Sequence, residues 1–276
     1  MKLSTDAYKP GCRPLRIGWF TTANGPGSRG MFEAVLQAIN SNQLNATFEF
    51  VFVNRERGQT GPTDSFLDLA TTNEILTITL SSQRFRLAHD RKPWAQLRDA
   101  YDNVALSSLE RFSPDVSIMA GYMLYAPEIS RRMLILNQHP ALPGGTVGKW
   151  QDAVWDVVEN NQDRHGSMMH IATPELDRGP VVTYCSFSVR VGEFNPLWKD
   201  AQQCDIRELR NKGDENLPLF TAIREAGLKR ERSLVVETLK AVADGEIDLS
   251  AIAAGTHFRP VDMTDAVEST IAQYQS

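Results

Sequence analysis

Leu15-Arg16-Ile17-Gly18-Trp19-Phe20-Thr21-Thr22 is an apolar run of strand length, and together with the glycines just after it this run decides the fold. Gly25-Pro26-Gly27-Ser28-Arg29-Gly30 comes next, within a glycine-rich loop from Ala23 to Gly30. Met31 to Ile39 then sets Phe32, Val35, Leu36 and Ile39 on one face of a helix. Strand, glycine loop and helix make a βα unit, and the pattern recurs. Thr47 to Val53 reads as a second strand, Thr63-Asp64 as the cap of a helix carrying Phe66, Leu67 and Leu69, and Ile75 to Leu80 as a third strand. Trp94 to Arg111 is a long helix stopped by Ser113-Pro114, and Asp115 to Ala120 and Met133 to Asn137 are strands four and five. The alternation predicts an α/β fold: Rossmann-like, a mostly parallel twisted sheet with helices on both faces. Ligands on such sheets sit at the carboxyl ends of the strands. The glycine loop, Gly121-Tyr122-Met123 and Asn137 all fall there.

Further along, Lys149 to Glu159 is expected to be helical, and Ser167 to Thr173 and Val181 to Val189 to be strands. Gly192 to Leu217 reads as polar and irregular. Ser233 to Val242 is an amphipathic helix with Leu234, Val235, Leu239 and Val242, and the tail after Ala253 reads as a weak element or a partly ordered extension. The expected organisation is an N-terminal extension over 1–14, one catalytic domain over 15–250 with an insertion near 190–217, and a tail over 251–276.

Composition narrows the function classes. Lys and Arg number 29 against 34 Asp and Glu, a formal net charge of −5, and no basic block stands out, so nucleic acid is not an expected partner. No apolar run is long enough to span a bilayer, and Met1 to Pro14 lacks the apolar core of a secretory signal. The three cysteines, Cys12, Cys185 and Cys204, are odd in number and without CxxC spacing, which points to free thiols in a reducing cytoplasm. No Cys/His pair has metal-ligand spacing, and no metal is expected.

The chemistry concentrates in two stretches, Asn137-Gln138-His139-Pro140 and Pro174-Glu175-Leu176-Asp177-Arg178-Gly179-Pro180. They set a carboxamide, an imidazole and a carboxylate at the ends of neighbouring strands. Asn can donate to a developing oxyanion, His can shuttle a proton near neutral pH, and Asp can orient the imidazole. That trio suits acyl transfer without a covalent enzyme intermediate. His170 is read as packing along its strand, with contact to a bound ligand as the alternative, and Trp150 and Trp155, five apart, as core residues without an assigned function. The glycine stretch opens a helix, whose N-terminus offers free N–H donors and the positive dipole end to a phosphate, with Arg29 adding a charge. It also matches G-x-G-x-x-G. The acidic residue expected to hold a ribose hydroxyl after strand two is replaced by Asn54-Arg55, so an NADP-dependent reductase is the rival reading.

From the Asn-x-His-Pro residues outward the chain resembles the 10-formyltetrahydrofolate-dependent formyltransferases, and within them the members acting on glycinamide ribonucleotide. Thr21 to Ser28 is similar to the family's phosphate loop, Arg98-Asp99-Ala100-Tyr101-Asp102 to its Arg-Glu-Ala-Tyr-Asp segment, and Ala120-Gly121-Tyr122-Met123 to its Ala-Gly-Phe-Met strand end. Leu136 to Pro143 and His165 to Val182 carry the paired Asn-x-His-Pro and Glu-Leu-Asp-x-Gly-Pro motifs. The resemblance implies the formyltransferase fold and 10-formyltetrahydrofolate as co-substrate. It implies glycinamide ribonucleotide as amine acceptor in purine synthesis, with an amino sugar or another small amine as the alternative. The implied catalytic groups are Asn137, His139 and Asp177. Gly25, Gly27, Ser28 and Arg29 would bind the acceptor phosphate and Glu231 the acceptor. Arg98, Met123, Leu124, Tyr125, Thr173 and Glu175 would line the folate pocket. The expected partners are small molecules, with homodimerisation left open. The chain departs from the family at Arg29, at Leu124, where a basic residue is usual, and in the compressed loop Ala141-Leu142-Pro143-Gly144-Gly145.

Overall fold

In the computed structural model, which describes residues 8–212 and 217–275, β1 (Leu15–Thr21) sends its large side chains to opposite faces of the sheet. Ile17 and Trp19 enter one apolar cluster and Phe20 enters another. After α1 (Pro26–Asn40), β2 (Ala46–Val53) repeats this, with Val51 and Val53 on the first face and Phe50 and Phe52 on the second. A strand apolar at consecutive positions has to be covered on both sides, because successive side chains point to opposite faces. On the first face α1 and α2 (Gly61–Thr72) bury Phe32, Val35 and Phe66. Then come β3 (Thr77–Thr79), α3 (Ser82–Ala88), α4 (Trp94–Ser108), β4 (Val116–Met119) and α5 (Pro127–Arg132). On the second face α4 and α5 bury Ala105, Leu106 and Ile129.

The chain continues through β5 (Ile135–His139), α6 (Trp150–Glu159), β6 (Arg164–Ile171) and β7 (Val181–Ser188), then α7 (Phe194–Ala201), α8 (Ile206–Lys212), α9 (Pro218–Ala243), α10 (Leu249–Ala253), β8 (Val261–Asp262) and α11 (Thr264–Gln275). The eight strands form one sheet in the order β3-β2-β1-β4-β5-β6-β7-β8. β1 to β5 run parallel, β6 is antiparallel to both its neighbours, and β8 lies parallel to β7. The mostly parallel sheet with helices on both faces is therefore observed. β1 pairs with both β2 and β4, so the strand order reverses beside it and leaves a crevice beyond the carboxyl ends of β1 and β4.

Several elements differ from the expectation. The glycine loop is shorter than Ala23 to Gly30, because Pro26 already occupies the first turn of α1, where its fixed φ and missing N–H cost nothing. Thr60, not Thr63-Asp64, caps α2, its hydroxyl accepting from the Thr63 amide at 3.3 Å. The stretch read as irregular holds α7 and α8; Phe194, Trp198 and Ala201 pack with Val154, Trp155 and Phe220 in a separate apolar cluster. The helix read over Ser233 to Val242 is the last part of α9, which continues back through the charged run Lys229-Arg230-Glu231-Arg232. The tail supplies β8 at the sheet edge and α11, whose Val267 is fully buried.

Candidate active site

β5 places two site residues by its pleat alone. Asn137 and His139 are two apart and share one face, while Gln138 points to the other face and donates to the Ser167 hydroxyl at 2.8 Å. The antiparallel register sets His170 directly opposite Asn137. Directly opposed side chains lie on the same face, and the Asn137 amide nitrogen is 3.0 Å from His170 Nε2. Asp177 arrives from the turn between β6 and β7. Its φ of +52° is left-handed, a conformation that Asp tolerates better than most residues. Oδ1 accepts from the Asn137 amide at 3.2 Å and Oδ2 from the Gly148 amide at 3.0 Å.

Donor and acceptor chemistry fixes the protons. An ionised carboxylate only accepts, so the amide nitrogen of Asn137, not its oxygen, faces Asp177. A carbonyl also only accepts. His170 Nδ1, 3.1 Å from the Ile171 carbonyl, must therefore carry its proton, leaving Nε2 to accept from Asn137. By the same reasoning His139 Nε2 donates to the Thr146 carbonyl at 2.6 Å, and the free lone pair of the neutral ring is on Nδ1, 3.6 Å from Asp177 Oδ2. His139 is only 3% exposed. Burial pushes the Asp177 carboxyl up, but the His170 and His139 rings in their protonated forms and the Gly148 amide outweigh it and hold the group below the ordinary carboxylate value. His170, assigned from sequence to strand packing, is thus part of the cluster. Asn137, expected to offer its amide to an oxyanion, has both amide hydrogens engaged within the protein.

The first turn of α1 faces this cluster across the crevice. Gly25 caps the helix with no side-chain hydrogen bond, so the first backbone N–H groups are free to meet an anion. The Thr22 amide donates to the Gly121 carbonyl at 3.0 Å and the Met123 amide to the Thr22 hydroxyl at 2.9 Å, lacing the ends of β1 and β4 together. Gly121 has φ +65°, and a Cβ there would meet Ser28 Cβ at 2.6 Å. Only glycine lets that strand end approach α1 so closely.

Asn137, His139 and Asp177 line one cavity of about 680 Å³ together with Gly25, Gly27, Ser28 and Glu231. Met123, Leu124, Tyr125 and Thr173 line it as well. Three candidates lie elsewhere. Arg29 sits one helical step past Ser28, which turns it outward to Glu33 (2.7 Å) and Ser65 (2.6 Å), beside a smaller cavity of about 360 Å³. Arg98 is absent from the cavity wall; its guanidinium lies 4.5 Å over the Tyr125 ring, bracing that residue from α4. Glu175 is exposed on the outer side of its turn, where its carboxylate accepts from Thr173 at 3.2 Å. Arg55 lines the cavity, and so do Lys149, Trp150 and Arg224. Arg224 gave no signal in the sequence because the face it occupies depends on how α9 packs. It donates to Glu231, which is 2% exposed, and lies 4.6 Å over the Trp150 ring.

A half-buried carboxamide, a buried imidazole and a carboxylate beside a helix N-terminus, at the switch point of a parallel sheet, are the groups that an acyl-transfer class of enzyme needs. The family described as Formyl transferase matches residues 24–193, more than half of the chain. The chain belongs to that family and is an enzyme of the folate-dependent formyltransferase type, which displaces the reductase reading. It is similar to the phosphoribosylglycinamide formyltransferase of Escherichia coli K12, 28% identical over 171 residues, 60% of this chain and 72% of that one. Among solved structures, glycinamide ribonucleotide transformylase 1 from Symbiobacterium toebii shares the fold at a TM-score of 0.61 and 18% identity, over 88% of this chain and 93% of that one. A formyltetrahydrofolate deformylase from Burkholderia mallei shares it at 0.57 and 16% identity, over 84% of this chain and 66% of that one. Among the described residues no group of three or more His, Cys, Asp or Glu could hold a metal ion, and no helix is long and apolar enough to cross a membrane.

Proposed function

We propose that the chain transfers the formyl group of 10-formyltetrahydrofolate to the primary amine of glycinamide ribonucleotide, by direct attack of the amine, with Asn137, His139 and Asp177 as catalytic groups. The observation that carries this reading is that the three side chains and the N-terminus of α1 line one cavity. The neutral amine attacks the formyl carbon, and the carbonyl oxygen gains negative charge. The Asn137 amide exchanges its bond to His170 for one to that oxygen; losing such a donor typically costs about a hundred- to a thousandfold in rate. The proton shed by the attacking nitrogen passes to His139 Nδ1, the nitrogen with the free lone pair, and on to the folate nitrogen that leaves. Nδ1 lies 3.6 Å from Asp177 Oδ2, near enough for the carboxylate to meet the ring once it is protonated. Asp177 stabilises the imidazolium, and general acid–base help of this kind contributes about a hundred- to ten-thousandfold.

The free N–H groups of α1 favour a phosphorylated acceptor over a neutral amino sugar. Tetrahydrofolate release by the purified protein, followed with glycinamide ribonucleotide, with glucosamine and with no amine, tests the reading. Turnover dependent on glycinamide ribonucleotide is expected. Equal turnover without any amine would replace the proposal with hydrolysis of the formyl donor.

A further inference from the structure

We propose that Arg224 is a substrate-binding residue of this site, its guanidinium holding a phosphate ester of the amine acceptor against the first turn of α1. The inference rests on the reading of the chain as a formyltransferase acting on an amine, and it concerns how the acceptor is chosen. Arg29 is the only Arg or Lys in the glycine stretch, and it is turned away from the cavity toward Glu33 and Ser65. Arg224 reaches the same helix end from α9. A Cβ on Gly27, the second residue of α1, would lie 3.3 Å from Arg224 Nη2. The guanidinium therefore stands beside the free amides of that turn, inside the cavity that holds Asn137 and His139.

Its position is held from two sides. Glu231 accepts from Nη1 at the cavity wall, and the guanidinium carbon lies over the Trp150 ring of α6, 4.6 Å from its centroid. A guanidinium held over the face of an aromatic ring keeps N–H groups free for an oxyanion. Among the described residues Nη2 has no hydrogen-bond acceptor. Glu231 offsets the cation while the site is empty. When a dianionic phosphate enters, the amides of α1 and the free edge of Arg224 meet it together, whereas a neutral amino sugar gives Nη2 no partner of matching charge.

The rival explanation is a purely structural ion pair joining α9 to Trp150. Calorimetric titration of the full chain with ribose 5-phosphate separates the two, read beside the KM for glycinamide ribonucleotide and for 10-formyltetrahydrofolate. Removing one charge-assisted hydrogen bond lowers affinity by roughly ten- to a hundredfold. Arg224→Met is expected to weaken ribose 5-phosphate by that factor and to raise the acceptor KM in parallel, with the folate KM within about threefold of wild type. Arg224→Lys should recover part of the loss. Because the methionine variant leaves Glu231 buried without its partner, Arg224→Gln, whose neutral amide can still donate to that carboxylate, is the control for folding and should show the same loss. Ribose 5-phosphate binding in Arg224→Met equal to wild type, or none in the wild type at millimolar concentration, would overturn the inference. Arg224-dependent binding of ribose 5-phosphate without formylation of glycinamide ribonucleotide would remove only the acceptor proposed above. Formylation with an unchanged acceptor KM in Arg224→Met would remove only the role of Arg224.

Discussion

Asp177→Asn is the most informative single change, because it keeps the shape of the side chain and reverses one of its polar atoms. The native carboxylate accepts from the Asn137 amide at 3.2 Å and from the Gly148 amide at 3.0 Å. An amide at 177 sets its NH2 against one of those two donors whichever way it turns. One hydrogen bond to a charged acceptor is lost, at about 1.5–3 kcal/mol. For a chain of this size that lowers Tm by roughly 3–12 °C. The kinetic loss is larger. An imidazolium at Nδ1 lies 3.6 Å from the carboxylate, which at an effective dielectric of about 20 is roughly 4–5 kcal/mol, on the order of a thousandfold in rate. Stopped-flow or steady-state tetrahydrofolate release should show kcat reduced between a hundred- and several thousandfold, with both KM values moved by less than about fivefold. The Tm difference between the two proteins should also depend on pH. The folded pKa of Asp177 is held below its ordinary 3.8, so its stabilisation is fully present above that value and is lost as pH falls through the folded one. The Tm gap should close in that acidic range. A variant that keeps kcat within about fivefold of wild type would refute the assignment of His139 and Asp177 as a working pair.

Three further outcomes are expected. Gly121→Ala forces a left-handed φ and a Cβ 2.6 Å from Ser28 Cβ, which together cost roughly 2–4 kcal/mol; calorimetry should register the loss, and the acceptor KM should rise more than the folate KM because α1 is displaced. Burial, aided by the Arg224 charge, pushes the His165 pKa down to about 4 from 6.5; the unfolded chain binds the proton first, so stability should fall by about 3 kcal/mol as pH drops from 6.5 toward 4, and His165→Gln should flatten that slope in urea melts. Trp198→Ala opens the apolar cluster shared by α6, α7 and α9, and a loss of about 3–5 kcal/mol is expected in the same melts.

The sheet was legible because its signal is local. Consecutive apolar residues at Trp19-Phe20 and Phe50 to Val53 announce a strand buried on both faces, and the glycines after β1 announce its turn. Asn137 and His139 were readable for the same reason, since a spacing of two on one strand decides that they share a face. Asp177 was grouped with them only by pairing the two polar stretches, because nothing local says which turn returns to β5. His170 was missed for want of a register: its place opposite Asn137 comes from how β6 pairs, and no residue in either strand encodes that alone. Arg29 illustrates the opposite error. Reading Ala23 to Gly30 as a loop put Arg29 at the phosphate beside Gly25, Gly27 and Ser28, whereas a helix from Pro26 rotates Arg29 outward by one step. α9 was underestimated because Lys229-Arg230-Glu231-Arg232 breaks its apolar pattern, although Glu231 and Arg230 are buried or half-buried through ion pairs with Arg224 and Glu268.

The fate of the formyl carbon tests the central claim most directly. With 10-formyltetrahydrofolate labelled by 13C at the formyl group, NMR of a complete reaction should place the label on the amide nitrogen of formylglycinamide ribonucleotide, one equivalent per tetrahydrofolate released. Label appearing as formate at the same rate, with or without glycinamide ribonucleotide, would contradict it.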